Sequence, residues 1–251
     1  MSIPLVRQRI NTVRFDRNPN AGLLLRRGLQ VWPEDTGNEG PGGVKAGHIA
    51  QIAKIGVDPG YRWAYRRWRE ATREPARFGV KELALESRMY IGVVRDNPLE
   101  AGVTVSHAWG MPLIPGSAIK GVSRDAARLA GLEPAALVHL FGSDDDQHPE
   151  AGVAVFHDAW WIPADGAKPF VAELVTPHHS GYYDQGSAHA TDFDSPTPAA
   201  QIAVQGAFRF VVQAPDGWRD LAIGVLMRAL TGAGIGGKTT SGYGLFRQDM
   251  A

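Results

Sequence analysis

Apolar residues recur along this chain at helical spacing in some stretches and at strand spacing in others, and the change of period marks its elements. In GSAIKGVSRDAARLAG, residues Ile119, Val122, Ala126 and Leu129 fall on one helical face, with Pro115 and Gly116 stopping the preceding chain and Ser117 placed to cap. Lys120, Arg124 and Arg128 gather on another face. DGWRDLAIGVLMRAL repeats Leu221, Val225 and Arg228 or Ala229, which predicts a helix over 216–230 with Asp216 as its cap. EPAALVHLFGS reads as a short helix ended by Gly142. KELALESRMYIGVV, GVAVFHDAWWIP and FVAELVTP are strand-like, AAQIAVQGAFRFVVQ is a strand or a pair of strands, and GYGLFRQ is a final strand. From residue 81 the order is therefore strand, helix, two strands or a decorated hairpin, helix, strand. That is the split βαβ order of a ferredoxin-like domain, shared with RNA-recognition folds, and it predicts an α+β core over 81–251.

Residues 1–80 read as an amino-terminal helical extension packed on that core. NAGLLLRRGLQVW (20–32) is an apolar run with Arg26 and Arg27, PEDTGNEGPGGVKAG (33–47) is a loop or linker, and 45–74 is helical with a break at VDPG. The second part, YRWAYRRWREATRE, alternates aromatics with arginines and has two readings. It is an amphipathic helix with buried aromatics and arginine stems along the rim, or a surface for RNA or a partner. Residues 176–198, TPHHSGYY followed by a run of turn formers, carry no period and are read as a long loop or hairpin insertion.

Composition narrows this picture. With 251 residues the chain can bury a core without staples, and the absence of cysteine excludes disulfides and thiolate metal sites. No window approaches the apolar length of a membrane span, so a soluble, cytoplasmic protein with no membrane partner is expected. Net charge is zero, yet residues 1–80 hold 14 basic against 7 acidic residues while 81–251 hold 12 against 19. The +7 of the first third and the −7 of the rest suggest a basic face for a polyanion or for an acidic neighbour.

GAGIGGKTTSGYG (232–244) begins with the G-x-x-x-x-G-K-T pattern of a nucleotide-binding P-loop. A P-loop follows a buried strand and opens a helix. Here the preceding segment is helical, and SGYGLFRQDMA is too short for the helix, strands and magnesium-binding aspartate that should follow. A glycine-rich turn between a helix and a last strand is the better description.

IPGSAIKGVSR, followed about 115 residues later by GAGIGGKTTSGYG, resembles the RAMP superfamily of CRISPR ribonucleoprotein subunits. With NAGLLL, LFGSDDD, VFHDAWW and VTPHHSGYY the likeness touches nearly the whole chain and is similar to the sixth, terminal RAMP subunit of type III-B (Cmr) effectors. Segments 33–47 and 184–198 show no such motif. The resemblance implies a non-catalytic subunit that holds the 3′ region of a CRISPR RNA and caps a helical stack of backbone subunits in an RNA-guided antiviral complex. Its implied partners are CRISPR RNA, target RNA, the other Cmr backbone subunits and the small subunits. Target cutting would belong to an aspartate of a different subunit, so no catalytic residue, metal or cofactor is assigned. The physical reading agrees: the Gly116–Ser117 turn would offer helix amides to phosphate, with Lys120 and Arg124 supplying charge. Gly234, Gly236 and Gly237 would let a sugar-phosphate backbone approach, for contact by Lys238, Thr239 and Thr240. Each glycine taken singly is equally a turn requirement. A rival reading is a stand-alone RAMP endoribonuclease using a histidine to process precursor RNA.

Three further clusters invite chemistry. His178, His179 and His189 lie near Asp184, Asp192 and Asp194, but their spacing fits no metal or acid-base site, and RNA or subunit contact is preferred for His178. Asp144, Asp145, Asp146 and His148 read as a solvated loop. His157 and Asp158 would alternate across a strand, which makes a joint role unlikely, and His107 reads as a packed histidine near Trp109.

Overall fold

Strand alternation and the placing of glycine decide how the sheet is covered. The computed structural model describes residues 2–4, 19–29, 31–33, 43–92, 101–145, 147–176 and 198–247. Its elements are β1 (Ser2–Pro4), α1 (Ala21–Arg27), β2 (Val31–Pro33), α2 (Val44–Ile52), α3 (Pro59–Ala71) and β3 (Phe78–Leu85). They continue with β4 (Leu113–Ile114), α4 (Gly116–Leu129), α5 (Pro134–Phe141), β5 (Val155–Phe156), β6 (Ala159–Trp161), β7 (Phe170–Val175) and β8 (Ala199–Val204). Last come β9 (Ala207–Gln213), α6 (Trp218–Arg228) and β10 (Phe246–Arg247).

The main sheet runs β10-β3-β9-β6-β4 with every pair antiparallel, and β5 flanks the far end of β9. Helices therefore fall between β3 and β6 and between β9 and β10 in the chain, which makes the protein a mixed helix-and-strand fold around an antiparallel sheet. One sheet face carries Leu83 opposite Phe208, with Phe210 and Phe246 edge-on at 5.3 Å, all buried. α6 lies against this face, and Gly79 lets it close in, since a Cβ there would meet Ile223 at 2.7 Å.

The other face carries Glu82, Arg209 and Trp160 in register. α3 covers it. Asp58 caps this helix through the Gly60 and Tyr61 amides, with Pro59 at the first turn. Tyr61 stacks on Trp160 at 5.8 Å and gives its hydroxyl to the Trp161 carbonyl at 2.6 Å, while Trp68 packs on Trp160 at 6.1 Å. Tyr65 and Arg209 both reach Glu82, and Arg209 also meets Thr72. Burial drives the hydroxyls of Tyr61 and Tyr65 to resist ionisation more than a free phenol.

α1 and α2 bury Leu24, Leu25, Ile49 and Ile52 in the same apolar cluster as the sheet. β7 and β8 form a separate antiparallel ribbon, tied to the main body where Met89 bridges Val204. The sequence placed the first core strand from 81, and it begins at Phe78. Three local expectations are corrected. Leu129 is 78% exposed because it lies past the part of α4 that packs. Ser117 is inside α4 and exposed, with Pro115 at the cap position, and Asp216 pairs with Arg219 while Gly217 precedes α6.

Candidate nucleic-acid interface

α6 does not stop cleanly: Ala229–Ala233 continue it as a single widened π turn, and the glycine loop follows. The loop is stitched to the chain after β3. Gly237 N–H donates to the Tyr90 carbonyl at 2.7 Å and Gly244 N–H to the Arg88 carbonyl at 2.7 Å, while Ile235 N–H meets the Gly244 carbonyl at 3.0 Å. Gly236 has φ +100° and a Cβ there would lie 2.1 Å from the Tyr90 oxygen. Gly244 has φ +71° and is equally crowded by the Ile235 oxygen. These two glycines are required by close backbone approach. Buried Ile235 plugs the loop from beneath.

What the loop turns outward is Lys238, Thr239 and Thr240. Among the described residues Lys238 is the non-glycine with positive φ, at +59°, a left-handed conformation that costs an ordinary residue energy. It precedes a single 3-10 turn, Thr239–Ser241, closed by Gly242. The amides of Lys238, Thr239 and Thr240 have no hydrogen-bond acceptor among the described residues. Lys238 and Thr240 are exposed and Thr239 is half-buried. The loop thus leaves a helix, and its Gly-Lys-Thr opens a three-residue turn; a P-loop needs the reverse order and a full helix.

Beneath the loop lies a cluster that sequence reasoning missed. The side chain of Glu173 in β7 is buried, and its Oε2 accepts from the hydroxyls of Tyr243 at 2.8 Å and Tyr90 at 3.0 Å. The Arg88 guanidinium pairs with the same carboxylate. The rings of Tyr90 and Tyr243 lie 4.7 Å apart. Burial, and then the neighbouring Tyr243, raise the Tyr90 hydroxyl above an ordinary phenol. The signal available in sequence was the alternation of FVAELV, which put a carboxylate at an inward position of a ribbon strand.

The Gly116–Ser117 turn is built differently. Gly116 N–H donates to Asp158 Oδ1 at 2.7 Å, so a carboxylate of the chain itself already takes one amide of the α4 terminus. Gly116 is also required by packing, since a Cβ would lie 2.1 Å from the Phe156 oxygen. Asp158 falls in the break between β5 and β6. Simple strand alternation therefore does not describe His157 and Asp158. Lys120 is half-buried, and Arg124 meets Asp144 at 2.5 Å, so the aspartate run read as a solvated loop anchors one predicted RNA contact.

The two predicted motifs do not form one cradle. Gly116 follows β4 at one sheet edge and Gly244 precedes β10 at the other, with β3, β9 and β6 between them. At about 4.8 Å per strand the two edges are roughly 19 Å apart along the sheet. His178 and the other histidines and aspartates of 177–197 lie outside the described residues, as does Asp146. His107, expected packed, is exposed, and its carbonyl takes the Asn20 side-chain amide at 3.1 Å. Among the described residues no group of three or more potential ligands could hold a metal, and no helix is long and apolar enough to cross a membrane.

Residues 82–247 match the model of the RAMP superfamily. The CRISPR system Cmr subunit Cmr6 of Pyrococcus furiosus is 24% identical over 223 residues, covering 63% of this chain and 64% of that protein. The match thus spans less than two thirds of that relative's length. A chain in the cryo-EM structure of type III-B Cmr-beta bound to cognate target RNA shares the fold, with a TM-score of 0.64 at 21% identity over 82% of this chain and 71% of that one. The crystal structure of Cmr6 from Pyrococcus furiosus gives a TM-score of 0.44 at 21% identity, over 68% and 98% of the two chains.

Proposed function

Because the chain belongs to the RAMP superfamily, we propose that it is a non-catalytic RNA-binding subunit of a type III-B Cmr effector, holding the 3′ region of a CRISPR RNA and capping its backbone subunits. The similarity to a Cmr6 subunit, and to a chain of a Cmr complex bound to target RNA, supports the assembly and the polymer. The sheet, with its β10-β3-β9-β6 order and helices inserted after β3 and β9, is read as a ferredoxin-like core, and residues before it as an extension laid across one face.

The observation that carries the proposal is the glycine loop. A lysine held outward in a left-handed conformation, beside two threonines and three amides without an acceptor among the described residues, suits a phosphodiester backbone. α3 covers the sheet face on which RNA-recognition folds stack bases, so on this reading the RNA is held by surfaces other than that sheet face. Gly116, with Lys120 and Arg124 beyond it, belongs to a second, weaker contact at the opposite edge, because Asp158 and Asp144 already neutralise part of it.

The test is filter binding of purified protein to CRISPR RNA across a salt series. Affinity should fall steeply with salt, with a log-log slope near 0.7 per phosphate contacted on a single strand. Binding that is flat with salt removes the phosphate reading. Cleavage of repeat RNA by the isolated protein, lost on His178→Ala, favours the endoribonuclease instead.

A further inference from the structure

On the side of the sheet away from α4 and α6, the molecular surface is the outer face of α3. Tyr61, Tyr65 and Trp68 turn inward at intervals of four and three residues, which sends Trp63, Arg66 and Arg67 outward. Trp63 is 52% exposed. The Arg67 guanidinium, one turn on, sits 4.7 Å from the centre of its ring and holds the indole against the helix. Arg62 and Arg73 are matched by Asp165 and Glu70, but among the described residues no carboxylate pairs with Arg66 or Arg67. From 59 to 77 the chain has six arginines and two glutamates.

A half-exposed tryptophan braced by an arginine, beside unpaired guanidinium groups, combines a stacking platform with phosphate contacts. We infer that the outer face of α3, built on Trp63, Arg66 and Arg67, is a further, separate site for single-stranded RNA: a base stacks on the indole and the guanidinium groups take the adjoining phosphates. It rests on the proposed function for its ligand, but lies outside the residues that match the family. The sheet face buried under α3 thus has its stacking surface replaced by one on the helix itself. An acidic protein segment would use the arginines without needing the indole.

Fluorescence anisotropy with a labelled, unstructured RNA of about 20 nucleotides tests this, with circular dichroism as the folding control. Trp63→Ala should weaken binding about ten-fold, as expected for loss of one stacked base, and Trp63→Phe should restore most of it. Arg66→Gln with Arg67→Gln should lower the salt slope by about 1.4. If these variants bind like the wild type while Lys238→Ala is weakened, the inference fails and the glycine-loop reading stands. If the wild type binds no RNA, both fall. If only the arginine change matters and polyglutamate competes as well as RNA, the face is for an acidic protein and the RNA assignment is wrong.

Discussion

The hydroxyl of Tyr243, in the glycine loop, donates to the buried carboxylate of Glu173, on the ribbon strand β7, at 2.8 Å. Through this contact the loop that offers Lys238 is fixed to the ribbon formed by β7 and β8. Tyr90 and Arg88 complete the set, so a single carboxylate serves three donors from two segments.

Removing that acceptor should be costly. Glu173→Leu leaves two hydroxyls and a guanidinium without their partner, and the loss expected is about 3 kcal/mol. At roughly 2 to 4 °C per kcal/mol for a chain of this size, the melting temperature should fall by about 6 to 12 °C. Tyr243→Phe, which removes one of the donors, should cost about 1 kcal/mol. Equal melting temperatures for Glu173→Leu and wild type would mean the cluster does not tie the two segments together.

The glycines of the loop should separate sharply under alanine substitution. Gly236→Ala puts a Cβ within 2.1 Å of a backbone oxygen at φ +100°, and should destabilise by more than about 2 kcal/mol. Gly232→Ala meets nothing within 4 Å and has no positive φ, so it should be neutral or slightly stabilising. Denaturant titration of the two variants checks the pair. Equal effects would refute the packing account of Gly236.

How much of this was legible follows from which forces are local. The helices α4, α5 and α6 and the strands β7 to β9 could be read because apolar period is local, and VDPG marked the break before α3. The glycine loop was readable as a turn from its composition. Its stitching to Tyr90 and Arg88 was not, because those bonds join residues about 150 positions apart. The same limit hid Asp158 as the partner of Gly116 and Glu173 as the anchor of Tyr243. The separation of the two glycine motifs to opposite edges depends on strand order, which no motif states. α3 showed its amphipathic pattern, and its aromatics divide: Tyr61 and Tyr65 are buried as an amphipathic helix requires, while Trp63 is exposed, which the pattern alone did not state.

Acid should weaken the fold through His48. This side chain is buried, with Nε2 at 3.0 Å from the Leu24 carbonyl, and burial pulls its pKa below the ordinary 6.5. The unfolded chain therefore binds a proton at His48 more readily than the folded one. Stability from this group is full above pH 6.5 and is lost as pH falls from there toward the lower folded value. Urea unfolding at pH 7 and pH 5 should show a drop that shrinks in His48→Gln, which keeps an N–H donor but does not titrate. An identical drop in the variant would assign the acid sensitivity elsewhere.

Lys238 is where backbone and function pull in opposite directions. Its φ of +59° and ψ of +33° are natural for glycine and strained for lysine. Lys238→Gly should relieve that strain, partly offset by the freedom glycine gives the unfolded chain, leaving stability equal to wild type or up to about 1 kcal/mol higher. Lys238→Ala keeps the strain and should gain nothing. For RNA the two substitutions should act alike, because both would delete the one phosphate contact proposed for Lys238. An exposed ammonium is worth roughly 0.5 to 1.5 kcal/mol there, or about two- to ten-fold in affinity. Thermal melts paired with filter binding on both variants separate the effects. If Lys238→Gly melts well below Lys238→Ala, the left-handed conformation is not held in solution, and if neither variant loses RNA affinity, the lysine is strained for a reason other than RNA.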